Sequence, residues 1–394
     1  MAKLAIEHLD LPGKRVFVRA DLNAPLEAGA VTDDTRLRAA APTVQYALGR
    51  GAAVVLASHL GRPKGRPAPE YSLRPVAERL EALLAQPVPL APDCIGPEVI
   101  ERAQALKPGH LLLLENLRFH RGEEANDDAF ARALAGLADC YVNDAFAAAH
   151  RAHASIAAIT QFLRPAAAGL LMQQELQALT RILERPERPL MAVLGGAKVS
   201  DKLGLVEHLL ARVDALLIGG GMAFTFLAAL GHEVGRSLVE REQIGTAGRV
   251  LDAARRRGVP LVLPVDVVVA DGAESSSGRA VSIREIPASL MGLDIGPRTV
   301  ERFADTLRSA RTIVWNGPMG VFEKEPFAAG TVGVARVVAA ASAFSVIGGG
   351  DTVAAVNVAG VTQRIGYIST AGGAFLEFLE GRPLPGVEAL TEAS

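Results

Sequence analysis

The 394-residue sequence has little of several things, and each scarcity excludes a class of protein. It has two cysteines, Cys94 and Cys140, which are too few for a disulfide framework and lack metal-ligand spacing. Flanked by apolar residues, they read as buried free thiols in a reducing compartment. No apolar run approaches the roughly 18 residues needed to cross a bilayer. The opening MAKLAIEHLDLPGKRV has no apolar signal core and already carries two acids, so a cytoplasmic protein with no membrane partner is expected. An excess of positive charge is also missing: 41 Lys plus Arg stand against 43 Asp plus Glu, for a net charge of -2. Divided at residue 185, the first part holds 21 basic and 21 acidic residues and the second 20 and 22. A nucleic-acid partner is therefore not expected, and any positive cluster must be local, which points to a small anionic ligand. Lysine itself is scarce, seven of the 41 basic residues, yet Lys198 and Lys202 stand together. A chain that mostly uses arginine keeps lysine where a compact ammonium on a flexible stem is required. Certain motifs are absent as well: G-x-x-x-x-G-K-[ST], G-x-G-x-x-G after a strand, D-F-G and H-R-D. Their absence argues against a P-loop enzyme, a nicotinamide dehydrogenase and a protein kinase.

What is present is an ordinary globular composition, 49% hydrophobic and 21% charged, in a chain long enough for two or three domains. Short aliphatic runs recur at Arg15–Arg19, Ala53–Ala57, Leu111–Leu114, Cys140–Val142, Leu190–Leu194, Ala215–Ile218, Leu261–Leu263, Thr312–Trp315 and Phe344–Ile347. Continuous apolar runs of this length suit strands buried on both faces of a parallel sheet. Helical patterns lie between them, at Arg36–Leu48, Ser72–Leu84, Asp127–Leu137 and Ser200–Leu210. The alternation predicts an α/β fold of two doubly wound, parallel-sheet (Rossmann-like) domains. A longer helix, Leu170–Leu183, separates the two sets of strands and ends in Arg185-Pro186-Glu187-Arg188-Pro189, where two prolines mark a boundary. The expected organisation is an N-terminal domain over 1–169, a connecting hinge helix over 170–185, a C-terminal domain over 186–375 and a tail over 376–394. No repeat of 20–50 residues is visible.

In open parallel sheets ligands bind beyond the carboxyl ends of the strands. In the first half those positions read Asp21-Leu22-Asn23, His59-Leu60-Gly61-Arg62, Asn116-Leu117-Arg118 and Asn143-Asp144, with Arg36 opening a helix and His150-Arg151-Ala152-His153 following the fourth strand. One such arginine is normally a solvated surface residue. Five basic groups on one edge, Arg36, His59, Arg62, Arg118 and Arg151, in a half with no net charge, predict a site for a small polyanion. His150 and His153 lack acidic or cysteine partners at ligand spacing, so capping, phosphate contact or structural hydrogen bonding is favoured over metal.

The second half ends its strands in glycine: Gly195-Gly196-Ala197-Lys198, Gly219-Gly220-Gly221-Met222, Asn316-Gly317-Pro318 and Gly348-Gly349-Gly350-Asp351-Thr352. A single such turn usually serves tight strand–helix packing. Four in one domain favour a nucleotide site, because glycines let backbone amides approach phosphate oxygens at helix N-termini. Asp351 is placed to hold Mg²⁺, to cap the helix that starts beside it, or both. Two anion sites in two domains suggest phosphoryl transfer on closure, with Arg36 and Lys198 as the groups on the moving phosphoryl.

These residues resemble the phosphoglycerate kinase family from the first strand to the tail. The resemblance is carried by Val16 to Asn23, Ser58 to Gly65, Glu115 to Phe119, Asn143 to Phe146, His150 to His153, Gly195 to Lys202, Gly219 to Ala223, Trp315 to Pro318, Gly348 to Thr352 and Gly372-Gly373. It implies reversible phosphoryl transfer between 1,3-bisphosphoglycerate and Mg-ADP, giving 3-phosphoglycerate and Mg-ATP, by a cytoplasmic monomer. By motif match, Asp21, Leu22, Asn23, Arg36, His59, Leu60, Gly61, Arg62, Arg118 and Arg151 fall to the phosphoglycerate. Lys202, Asn316, Gly349, Gly350 and Thr352 match nucleotide phosphate contacts, Glu323 the ribose ligand and Asp351 the metal ligand. Gly196, Gly220 and Met291 to Leu293, with Gly292 between, match the adenine surroundings. Arg36, Lys198, Gly372 and Gly373 would surround the moving group, and the tail would return to the N-terminal domain. Three positions depart from the family: Ala24 for valine, and Ala147 and Ala371 for glycines, which would matter if either backbone needed a positive φ. The runner-up is a nucleotide-binding regulatory protein of the same fold that has lost catalysis.

Overall fold

The structure, a computed structural model, describes residues 3–393. Contacts divide the chain into two compact units. One contains the chain up to Gln177 together with the segment from Pro383 onward, and the other is Ala178–Arg382. The division falls inside the helix Leu170–Leu183.

In the first unit, β1 (Arg15–Arg19), β2 (Ala53–Ala57), β3 (Leu111–Leu113), β4 (Cys140–Asn143) and β5 (Ala166–Ala168) form one sheet in the order β3-β2-β1-β4-β5. Every neighbouring pair is parallel. Residues Val54, Val55 and Leu56 of β2 are all fully buried, as expected of a strand covered by helices on both faces. The helix Arg74–Leu84 shows how the cover is made. Pro75 sits in its first turn, Val76, Ala77 and Leu80 form the buried stripe, and Ala85 ends it in a left-handed conformation. The chain turns back across the sheet between β1 and β4, so the carboxyl ends of those strands flank the crevice where ligands bind in such folds.

The second unit runs β6 (Leu190–Leu194), β7 (Ala215–Ile218), β8 (Leu261–Val262), β9 (Asp266–Ala270), β10 (Arg279–Ser282), β11 (Met291–Ile295), β12 (Thr312–Asn316), β13 (Phe344–Gly348) and β14 (Tyr367–Ser369). Six of these make a parallel sheet, β8-β7-β6-β12-β13-β14, around a core that includes Trp315, Phe303 and Ile313. The other three form an antiparallel sheet, β10-β9-β11. The periodicity does not reveal this second sheet. Its position matters, because Asp266 in β9 accepts from the amides of Arg298 (3.1 Å) and Thr299 (2.8 Å) and so caps the helix Pro297–Leu307.

Beyond Pro383 the chain lies in the first unit. Leu4 N–H donates to Thr391 O (2.8 Å), Thr391 N–H to Ala166 O (2.9 Å) and Gly386 N–H to Ala149 O (2.8 Å), while Leu384, Val387 and Leu390 are buried. Residues 376–382, which the sequence reading gives to the tail, lie in the second unit instead. The helix Gly373–Leu379 buries Phe375 and Leu379, which holds this stretch in that unit's packing.

Candidate functional site

In the first unit the loops beyond β1, β2 and β3 are tied to one another through side chains. Leu22 N–H donates to Ser58 Oγ (2.9 Å) and Gly61 N–H to Asn23 Oδ1 (2.9 Å). Buried Asn116 accepts from Leu60 N–H (3.2 Å) and returns a bond from Nδ2 to Leu60 O (2.7 Å). Leu22 and Leu60 are themselves buried, so their contribution to a ligand surface is backbone. These ties fix where the charged groups stand. Arg36 Nη1 donates to Asp21 Oδ2 (2.8 Å), which leaves the rest of a partly exposed guanidinium open. Arg118 donates from Nη1 to Gly61 O (2.8 Å); its buried Nε lies 3.3 Å from a Glu124 oxygen without forming a hydrogen bond. Arg151 Nε contacts His150 Nε2 (3.0 Å), and Arg62 is exposed with no side-chain hydrogen bond or ion pair among the described residues.

His59 does not join these cations. Its Nδ1 faces Nη2 of fully buried Arg19 at 3.1 Å, so that nitrogen must accept. Burial, then the positive fields of Arg19, Arg118 and Arg36, hold its pKa well below the ordinary 6.5. The imidazole is neutral and offers Nε2–H as a donor, so the expected five basic groups are four arginines and one neutral histidine. His153 is likewise neutral, pushed down to about 3 by burial and by Arg118 and Arg19. Sequence reasoning missed Arg19 and Glu123. Glu123, buried, accepts from Ser155 N–H (3.0 Å) and Oγ–H (2.7 Å) and balances Arg19 from 4.0 Å.

A cavity of about 480 Å³ opens in the second unit, within the range of small-ligand pockets. Gly196, Gly220, Gly292, Glu323 and Asp351 line it together, with Phe224, Leu238 and Met291 on its apolar walls. Gly220 shows why glycine is required here. Its φ is +67°, and a Cβ would lie 2.6 Å from Gly196 N and 2.8 Å from Pro318 O, so three loops converge with no room for a side chain. Beside the cavity, Lys202 Nζ donates to Asn316 Oδ1 (2.5 Å) and to Asn316 O (3.1 Å). Asn316 Nδ2 donates to Gly348 O (2.6 Å), and Gly317 N–H donates to Thr352 Oγ1 (2.7 Å). Gly349, at φ +94°, brings its backbone against Asn316, where a Cβ would stand 2.7 Å from Nδ2. Burial lowers the pKa of Lys202 to about 8, and the negative fields of Asp351 and Asp201 partly oppose that shift. Lys198 is exposed and has no side-chain hydrogen bond or ion pair among the described residues, its field felt by Glu240. Gly350 opens the helix Gly350–Val358; Gly372, at φ +55°, precedes the helix Gly373–Leu379. Neither Ala147 nor Ala371 has a positive φ, so the two departures from family glycines carry no backbone strain.

Asp351 is exposed in the first turn of its helix, faces the cavity, and among the described residues has no side-chain hydrogen bond or ion pair. An exposed carboxylate at this cavity fits Mg²⁺, which commonly takes one or two protein carboxylates and completes its shell with water and phosphate. In the first unit, the Cys94, Asp93 and His120 ligand atoms lie within 4.8 Å of one another, a proximity their sequence spacing hides. Cys94 Sγ–H donates to Glu115 O (2.9 Å), and burial pushes the thiol's pKa well up.

Arginines at the crevice of one parallel α/β unit, and glycine turns with a half-buried lysine at that of another, define a phosphoryl-transfer enzyme of the two-unit α/β class. The family model "Phosphoglycerate kinase" matches residues 6–382. The phosphoglycerate kinase of Moorella thermoacetica is 56% identical over 393 residues, all of both chains, and the cytosolic one of Triticum aestivum is 54% identical, covering 98% of this chain and 97% of its own. The structure of phosphoglycerate kinase from Coxiella burnetii superposes with a TM-score of 0.92 at 44% identity, and that from Pyrococcus horikoshii with 0.86 at 37%, each over 98% of both chains. This chain belongs to the phosphoglycerate kinase family. It is a kinase, a phosphotransferase with a carboxyl group as acceptor.

Proposed function

We propose that the arginine-lined crevice holds the phosphoglycerate and the glycine-lined cavity holds the nucleotide, so that the acyl phosphate of 1,3-bisphosphoglycerate passes to Mg-ADP to give 3-phosphoglycerate and Mg-ATP. The observation that carries this reading is the cavity lined by Gly196, Gly220 and Asp351, with the Lys202 ammonium anchored at its edge. Arg62, Arg118 and Arg151 bind the phosphate end of the substrate through charge-assisted hydrogen bonds. Asp21 orients Arg36 toward the reacting carboxyl end, and Asn23, which fixes Gly61, orients the hydroxyl region. Neutral His59 donates from Nε2 without adding charge. On the nucleotide side, Lys202 and the amides at Gly349 and Gly350 bind phosphate oxygens, with Asn316 and Thr352 holding that turn in shape. Glu323 meets the ribose, and Gly196, Gly220 and Gly292 let the base enter. Asp351 would hold Mg²⁺, which supplies charge neutralisation on the nucleotide phosphates when bound.

Lys198 and Arg36, with the amides at Gly372 and Gly373, carry the charge of the moving phosphoryl group. The chemistry needs little beyond positioning, electrostatic stabilisation and exclusion of water. We further propose that the two units close about the helix Leu170–Leu183 to bring the ligands together, in a cytoplasmic monomer. The test is ADP-dependent ATP formation from 1,3-bisphosphoglycerate in a coupled assay. Saturable ADP binding without turnover would overturn the reading in favour of a non-catalytic nucleotide-binding protein.

A further inference from the structure

The second unit holds another concavity, of about 610 Å³, whose chemistry differs from that of the nucleotide-side cavity. Its floor is aliphatic: Leu227, Leu251, Leu261, Leu263 and Ile283. Leu230, exposed at 42%, stands at its rim. Four arginines and one histidine also line it, Arg255, Arg284, Arg298, Arg302 and His232, and among the lining residues there is no acid. Arg298 and Arg302 stand four residues apart, and so one above the other, on the helix Pro297–Leu307. Arg284 approaches from the turn after β10 and Arg255 from the last turn of the helix Ile244–Arg257. The side chains of Arg284, Arg298 and Arg302 have no hydrogen bond or ion pair among the described residues, and Arg255 has only a 3.2 Å contact with exposed Asp252.

A solvated arginine face is convex and interleaved with acids. Here, in a chain with a net charge of -2, four guanidinium groups, three of them unpaired among the described residues, instead line a concavity with an aliphatic part, large enough for a small ligand. We propose that this concavity is a second ligand site, one that takes a small amphiphilic anion: an aliphatic body on the leucine floor and a phosphate or carboxylate head among the arginines. Arginine forks suit either head, since both present oxygens bidentately. The site is distinct from the nucleotide cavity but shares a wall with it. Pro264 lines both, and the helix Met222–Ala229 gives Leu227 to one and Ala223 and Phe224 to the other. A test must therefore be made with the nucleotide cavity filled.

The test is calorimetric titration of the full-length enzyme, saturated with ADP, using octyl phosphate and octanoate below their micelle-forming concentrations. Octan-1-ol and inorganic phosphate serve as half-ligands. One amphiphile or both should bind one to one, at least about tenfold tighter than either half-ligand, and which of them binds tighter identifies the head group. Binding should weaken with salt. The double variant Arg298→Gln/Arg302→Gln should weaken it at least about tenfold while leaving turnover unchanged, and Arg255→Gln/Arg284→Gln gives the same test from other elements should the first variant not fold. Three results would each overturn the proposal: loss of binding when ADP is present, octan-1-ol binding as tightly as the anions, or insensitivity to both double variants.

Discussion

On the proposed role of Lys202 as a phosphate ligand, nucleotide binding should depend on pH in a way that can be worked from its surroundings. Its ammonium is largely withdrawn from water beside the glycine-lined cavity, and burial brings its pKa from the ordinary 10.5 to about 8. In the free enzyme at pH 7 the group is still charged and available to a phosphate oxygen. At pH 9 only about one enzyme molecule in ten retains the charge, so ADP affinity should fall roughly tenfold for each pH unit above 8. A bound phosphate raises the pKa again, so binding above pH 8 must take up a proton. Calorimetry at pH 7, 8 and 9, each in two buffers of different ionisation enthalpy, reads both the affinity and the proton. Lys202→Met should bind ADP weakly and with a flat pH profile. An affinity that stays constant from pH 7 to 9.5, or a wild-type slope that persists in Lys202→Met, would refute the reasoning.

The same group makes a stability prediction of definite sign. Its folded pKa lies below its unfolded one, so the unfolded chain binds more protons between about 8 and 10.5. Below pH 8 the folded state carries the full cost of the desolvated charge, on the order of 3 kcal/mol. That cost is relieved as pH rises through the window, so urea denaturation should show this contribution to stability increasing between pH 8 and 10.5 in the wild type and absent in Lys202→Met.

Other substitutions separate the remaining roles. Arg62→Ala removes an exposed, unpartnered guanidinium and should weaken phosphoglycerate binding by about 1.5–3 kcal/mol while leaving ADP affinity nearly unchanged; equal losses for both ligands in calorimetry would contradict the two-site division. Lys198→Ala should lower kcat far more than it raises KM without moving the melting temperature, because the side chain is exposed and forms no hydrogen bond or ion pair, whereas lowered stability at unchanged kcat would make it structural. Ala371→Gly should not raise activity, since this buried alanine does not occupy the left-handed region, and should cost about 0.5–1 kcal/mol of stability; a gain in kcat would mean that the family glycine is needed for motion.

What the sequence made legible follows from burial symmetry. Strands covered on both faces read as continuous aliphatic runs, so Arg15–Arg19, Ala53–Ala57, Leu190–Leu194 and Ala215–Ile218 have the boundaries the pattern implies. The strand Ala166–Ala168 was not legible, because three alanines carry no β preference and its pairing with β4 comes from tertiary packing. The antiparallel sheet over 266–295 was hidden for a related reason. Its middle strand, Asp266–Ala270, interrupts the alternation with buried Asp266, whose job is to cap a helix thirty-odd residues later.

The site divides along the same line. Candidate residues at strand ends were legible, because the fold class fixes where strand ends point and the residue types there are unusual for a surface. What remained invisible was whatever depends on a neighbour distant in sequence. His59 reads as a cation until buried Arg19, forty residues before it, claims its Nδ1 and makes it neutral. Asn316 reads from sequence only as a candidate phosphate contact, and the folded chain adds that its amide bridges Lys202 and Gly348. In both cases the residue type was right for a polar site, but its protonation or orientation was set by a partner whose position only the folded chain supplies. The arginines escape this ambiguity because their charge survives any environment in the protein, whereas the histidines and Lys202 take their charge from their surroundings.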